Sequence, residues 1–249
     1  MNSPKRLARI AGVLYLLVAI FGGFALGYVY PKIYVAGDAA ESAGNLIANS
    51  GLVRLGVVAD LFQATVVVFV AITLYQLLKH VSTSVAGTMV VFAAIGVGIN
   101  CLTAVFEFEG LRVATGALNL AASAAAGSNA LVLLLLDTQH YGVFAQQIFY
   151  GLWLVPMGYL VYKSSGMFPK WLGVLLVVGA VCYLVDLLWV FLLPDFGQQI
   201  HDFIIIPSAI AEISMVLYLL IIGVKTVKPK DVEPKDERTP ADERTPAVA

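Results

Sequence analysis

Six predominantly apolar runs, each long enough to cross a bilayer, leave this chain one class of fold. About 20 such residues span a hydrocarbon core of about 30 Å as an α-helix, and a helix pairs its own backbone groups where water cannot. The runs cover Leu7–Tyr30, Leu52–Leu78, Gly87–Leu111, Tyr141–Tyr162, Trp171–Leu193 and Phe203–Val224. With 60% apolar and 12% charged residues among 249, too little polar surface remains to wet a soluble domain of this size. The sequence predicts an all-α polytopic membrane protein, a bundle of six transmembrane helices forming one domain over 1–224, with the lipid bilayer as its first partner.

The positions of the 15 Lys and Arg residues orient the bundle, because short cytoplasmic loops retain positive charge. Lys5, Arg6, Arg9, Lys79, Lys163, Lys170 and the tail's basic residues fall on one side, against Lys32, Arg54 and Arg112 on the other. This split predicts a multi-pass protein of the cytoplasmic membrane with both termini inside, and a first span acting as an uncleaved signal anchor. The uncharged stretch Val113–Leu136 is long enough for a seventh span, but a seventh crossing would invert every basic loop after it. Val113–His140 is therefore expected to be an outer connector, with short interfacial helices, whose Leu131–Leu136 segment extends the fourth span outward. Residues 225–249 change composition to mixed charge and proline without apolar periodicity, which predicts a disordered cytoplasmic tail. Within it, Asp-Glu-Arg-Thr-Pro-Ala occurs at Asp236–Ala241 and again at Asp242–Ala247.

Four carboxylates interrupt the apolar runs: Asp60, Glu107, Asp186 and Glu212, each on a different span. A carboxylate in hydrocarbon costs several kcal/mol unless it faces a partner or a wet cavity, so four of them mark an interior polar site. At 1.5 Å per residue, Asp60 lies about 9 Å inward of Arg54 and Glu107 about 8 Å inward of Arg112, while Asp186 and Glu212 sit about 15 Å from the nearest loop acids. The acids outline a funnel that opens outward. Helical spacing gives them polar neighbours. Gly96, Asn100, Thr103 and Glu107 share one stripe, Asp60 and Gln63 another, Cys182, Asp186 and Trp189 a third, and Ser208, Glu212 and Met215 a fourth, while the fourth span adds Gln147 and Tyr150. The candidate binding set is Asp60, Gln63, Asn100, Glu107, Gln147, Asp186 and Glu212. The alternative is structural: the same acids could lock helices together through Gln147, Asn100 or backbone groups.

Other chemistry has little behind it. Glu109, Asp137, His140, His201 and Asp202 gather near the outer boundary, but their spacing matches no metal-ligand motif. No histidine pair is placed to ligate a haem, Cys101 and Cys182 read as packing residues, and no hydrolase, phosphate-loop or dinucleotide pattern occurs. The expectation is no catalytic residue, no cofactor, no metal and no nucleic-acid partner. Gly23 and Gly27 form a Gly-x-x-x-Gly pair, Gly151, Gly158, Gly173 and Gly179 recur in later spans, and Pro156 and Pro207 are expected to kink the fourth and sixth helices.

The segments Arg9–Tyr15, Arg54–Leu61, Gly151–Leu154, Phe168–Gly173 and Ala211–Ile213 resemble the bacterial membrane family known as domain of unknown function 4386. The resemblance covers about Lys5 to Val224 and includes Asp60 and Glu212. It implies a bacterial multi-pass membrane protein and transfers no activity. All ten acidic residues outside the tail lie in outer loops or spans, against three bases there, and that imbalance attracts positive ligands. The functional expectation is a protein that binds or transports a cation or small amine-bearing solute through an outward-facing acidic cavity. The alternative class is a structural or regulatory membrane subunit without a small-molecule substrate.

Overall fold

The computed structural model describes residues 3–118 and 125–225; the tail and its repeated hexapeptide lie outside the described residues. The protein is an all-α polytopic membrane protein. Its helices are α1 (Pro4–Phe24), α2 (Ala39–Ala48), α3 (Ser50–Leu78), α4 (Thr83–Ala114), α5 (Ala125–Lys163), α6 (Lys170–Leu192), α7 (Pro194–Ile204) and α8 (Ile206–Leu217). A π-turn, Ala25–Val29, and a 3-10 turn, Tyr30–Lys32, prolong α1, and a second π-turn, Tyr218–Ile222, prolongs α8.

Local chemistry sets the boundaries. Ser3 accepts a hydrogen bond from the Arg6 N–H ahead of Pro4, Asp38 accepts from Glu41 N–H at the start of α2, and Ser82 from Val85 N–H at the start of α4. The last helix stops at Gly223, whose φ of 75° suits a residue without Cβ. Ser165 and Gly166, at φ 51° and 91°, turn the chain between α5 and α6.

Five continuous helical stretches are long and apolar enough to cross a membrane: Pro4–Lys32, Ser50–Leu78, Thr83–Ala114, Lys170–Leu192 and Pro194–Ile222. The expected fourth span lies within α5, a 39-residue helix whose glutamines, tyrosines and His140 dilute its hydropathy. Large apolar side chains such as Val58, Phe69, Leu102, Val181 and Ile213 face outward around the bundle, as lipid contact requires.

The structure changes several sequence expectations. Leu131–Leu136 extends the fourth span outward as expected, and the extension begins earlier, so that residues 125–140 belong to α5 rather than to an interfacial connector. They pack against α4, as Leu135 and Leu136 do beside Gly110, and burial there outweighs the Gly and Asn residues that suggested a loop. Two short helices, α2 and α7, occupy connections read as loops. Pro207 lies in the first turn of α8, where the stretch Pro194–Ile222 is interrupted at Ile205, because proline needs no N–H in a first turn. Pro156 does lie inside α5. Gly23 and Gly27 abut nothing, whereas Gly12, Gly158, Gly173 and Gly179 sit against neighbouring backbone.

Neighbouring helices run antiparallel, as paired contacts show: Gly22 with Gln63 and Val29 with Gly56 for α1/α3, Gly158 with Gly173 and Gly151 with Tyr183 for α5/α6. The bundle therefore has a basic end, carrying Lys5, Lys79, Lys163 and Lys170, and an acidic end, carrying α2 and α7. The larger aliphatic core, with Leu74, Leu78, Met89, Leu154, Met157 and Leu172, fills the basic half. A smaller cluster around Leu46, Val53, Leu111 and Leu136 closes part of the acidic end.

Candidate functional site

Above the large aliphatic core the helices part around a cavity of about 270 Å³ walled by α1, α3, α5, α6 and α8. Tyr15 and Trp153 lie at its base, ring centroids 5.9 Å apart in an edge-to-face pair. Its lining runs along α5 from Trp153 to Val143, about 15 Å toward the acidic end. Glu212 is the one carboxylate in the lining.

Glu212 is held from both sides. Tyr15 Oη on α1 donates to Oε2 at 2.9 Å, and Tyr183 Oη on α6 donates to Oε1 at 3.0 Å. One side chain thus ties α1 and α6 to α8, and two O–H donors stabilise its charge.

Asp186, one turn beyond Tyr183, lies outside the lining and is 0% exposed. Gln147 Nε2 donates to its Oδ2 at 2.7 Å and to the Tyr183 carbonyl at 3.0 Å. His201 Nδ1 on α7 stands 3.0 and 2.9 Å from the two carboxylate oxygens. Gln147 also lines the cavity, so the Asp186–His201 pair reaches the cavity through it.

Asp60 belongs to a third arrangement. Asn100 Nδ2 donates to Asp60 Oδ1 at 3.1 Å, and Gln146 Nε2 donates to Asn100 Oδ1 at 2.8 Å. Gln146 reaches the cavity; Asp60, Asn100 and the buried Glu107 do not. Of the seven residues expected at a binding site, Gln63, Gln147 and Glu212 line the cavity, and Asp60, Asn100, Glu107 and Asp186 stand behind its wall.

The lining contains a feature that spacing alone does not reveal. Gln63 Oε1 and Gln146 Oε1 are buried and lack a hydrogen-bond partner, Tyr150 Oη is buried beside the Gln146 amide, and all three residues face this cavity. Gln63 is 8% and Gln146 2% exposed. A buried polar atom left unpaired costs about 1–3 kcal/mol, so two amide oxygens at one cavity are a large concession for a purely structural core. Tyr15, Gln146, Trp153 and Tyr183 were missed as site residues, since tyrosines and tryptophans are ordinary in membrane helices. The adjacent pair Gln146–Gln147, in an otherwise apolar turn, was the available signal.

At the acidic end an aromatic layer covers this region. The Tyr30 and Tyr34 rings stack, His140 stacks on both, and Phe144 meets His140 and His201 edge-on at 5.2 and 5.1 Å. Tyr34 Oη donates to Asp137 at 2.7 Å; burial first, then that bond, raises the Tyr34 pKa above its ordinary value. Glu109 pairs with Arg112 at 2.6 Å. Among the described residues no group of three His, Cys, Asp or Glu side chains is placed to hold a metal, and Cys101 and Cys182 are unbonded thiols.

Comparison with known proteins places this geometry in a family. An uncharacterized protein of the archaeon Archaeoglobus fulgidus is 31% identical over 119 residues, which is 48% of this chain and 57% of that protein. The matched region therefore spans little more than half of that relative. No solved structure matches. The family model for the domain of unknown function DUF4386 matches residues 10–223, which include every wall of the cavity, and the chain belongs to that family.

Proposed function

We propose that this protein binds, and by extension carries, a small amine-bearing cation in the cavity beside Glu212. The observation that carries this reading is the convergence of Gln63 Oε1 and Gln146 Oε1, both without partners, on a cavity with one carboxylate. Amide oxygens accept only, so the complementary ligand is a hydrogen-bond donor. Glu212 supplies the opposite charge, and the faces of Tyr15, Trp153, Tyr150 and Tyr183 suit an ammonium group. The volume equals that of about nine liquid waters, which sets the solute's size.

Binding fits the lining better than catalysis does. No Ser, Thr, Cys, His or Lys lines the cavity, and both oxygens of Glu212 are held by tyrosine hydroxyls, an arrangement suited to fixing a charge. In the orientation that the basic loops favour, both termini are cytoplasmic and the cavity runs from mid-membrane toward the outside of a cytoplasmic membrane. Cysteines placed at the exposed Gly44 and Ser84, after Cys101 and Cys182 are replaced by Ala, test this: an impermeant thiol reagent on intact cells should label the first and spare the second.

Calorimetric titration of the full chain in detergent with benzylamine, and with benzyl alcohol as its uncharged counterpart, tests the binding reading. The amine should bind, the alcohol should not, and Glu212→Gln should weaken the amine at least tenfold, about 1.4 kcal/mol. Equal binding of amine and alcohol, or amine binding unchanged in Glu212→Gln, overturns the reading. No binding by a wider panel of small ammonium compounds returns the site to a structural role.

A further inference from the structure

The polar groups behind the cavity wall form a second arrangement that the amine reading does not use. Asp60 on α3 and Glu107 on α4 are 5% and 6% exposed, yet no Lys, Arg or His among the described residues makes a salt bridge to either. Asp60 Oδ1 accepts from Asn100, and Glu107 accepts no side-chain hydrogen bond from the described residues. The two residues lie two turns apart in level, about 10 Å, but helical side chains lean toward their own N-terminus. Because α3 and α4 are antiparallel, that lean brings the two carboxylates toward each other.

A further observation points to a ligand. Gln139 on α5 is 1% exposed and its Oε1 has no partner. Gly142 abuts Thr103 so closely that a Cβ would stand 2.5 Å from Thr103 Cγ2. One helical turn toward the acidic end, the same stripes set Gln139 opposite Glu107. Two carboxylates and an unpaired amide oxygen thus offer oxygen donors at buried positions, with no salt-bridge partner for either carboxylate among the described residues.

We propose that Asp60, Glu107 and Gln139 hold a hard inorganic cation, a site separate from the amine cavity. All-oxygen donor sets select such ions, and a bound cation offsets the charge that burial makes costly. The site communicates with the cavity through one chain of hydrogen bonds: Asp60 to Asn100, Asn100 to Gln146, and the free Gln146 Oε1 in the cavity wall. A cation that draws on Asp60 changes what holds Asn100, and hence how Gln146 is presented to a solute. This communication rests on the amine reading; the cation site itself does not.

The test is the melting temperature of the full chain in detergent, in chlorides of Li⁺, Na⁺, K⁺ and Cs⁺ at one ionic strength, with Ca²⁺ and Mg²⁺ added to the Cs⁺ series. One ion, monovalent or divalent, should raise the midpoint by about 5 °C over Cs⁺ at saturation. Glu107→Gln should abolish the rise, Gln139→Leu should shift its concentration midpoint at least tenfold, and Glu212→Gln should retain it. Gln139→Leu keeps the test open if Glu107→Gln fails to fold, since Gln139 Oε1 forms no bond that the substitution would break. Equal melting in every salt overturns the site, as does an ion response that survives both Glu107→Gln and Gln139→Leu. Stabilisation by acid alone, identical in all salts, also overturns it and assigns the carboxylates to protons. Loss of amine binding with the ion response intact would count against the cavity reading only.

Discussion

The two halves of the bundle solve opposite problems. In the basic half, Leu154, Met157, Leu160, Leu172 and Leu176 are fully buried and the backbones of α5 and α6 touch at Gly158 and Gly173. In the acidic half a cavity of about 270 Å³ opens and buried oxygens lack partners, although α4 and α5 still meet closely at Thr103 and Gly142. Where side chains interlock, removing or adding one methylene is felt. Where a cavity and unpaired oxygens already exist, the same change meets room. The contrast teaches that the large aliphatic core sits in one half and the candidate cavity in the other, joined by the Tyr15–Glu212–Tyr183 link.

The largest effect should come from closing the backbone contact between α5 and α6. A Cβ on Gly158 would stand 2.7 Å from the Gly173 carbonyl oxygen and 2.8 Å from Val177, and backbone cannot swing aside. Gly158→Leu should abolish a monodisperse elution profile in size-exclusion chromatography; a well-folded variant would show that α5 and α6 are less tightly packed than described. Next, Leu154→Ala should cost about 2–5 kcal/mol through lost burial and a cavity, a fall of roughly 2–4 °C per kcal/mol in melting temperature.

Smaller effects should appear across the polar half. Asp186→Asn should cost about 1–3 kcal/mol, because Gln147 and His201 both approach its carboxylate and an amide offers one acceptor oxygen in place of two. A melting temperature equal to the parent's would show that the Asp186–His201 contact adds no stability. Gln63→Leu should be the mildest, within about 0.5 kcal/mol or slightly stabilising, since it removes a buried oxygen that has no partner. The same variant should weaken amine binding. A fall as large as that of Leu154→Ala would erase the difference between the halves.

Much of this was legible from the chain. Apolar runs predicted the helices, and three- and four-residue spacing put Gly96, Asn100, Thr103 and Glu107 on a stripe that is buried in the fold. Spacing could not show that Asp60 and Glu212 belong to different arrangements, nor that Gln146 rather than Gln147 contacts Asn100. Neighbouring glutamines point about 100° apart on a helix, and only the position of α4 and α6 decides which meets what. The start of α5 was misread because Gly127, Ser128 and Asn129 have weak helix propensity, which tertiary burial overrides.

By itself the sequence determined the membrane class, the helical elements and which residues face inward along each helix, because these follow from hydropathy and a local 3.6-residue period. The tertiary structure decided which inward faces meet. Tyr15 reaches Glu212 across 197 residues, and Gln147 reaches Asp186 across 39, by the way helices pack. It also separated four acids, alike in sequence, into one that lines a cavity, one joined to a histidine, and two buried away from the lining. Helix-to-helix registry is set by close backbone approach at glycines such as Gly12, Gly158 and Gly179, a long-range fit that no local pattern encodes.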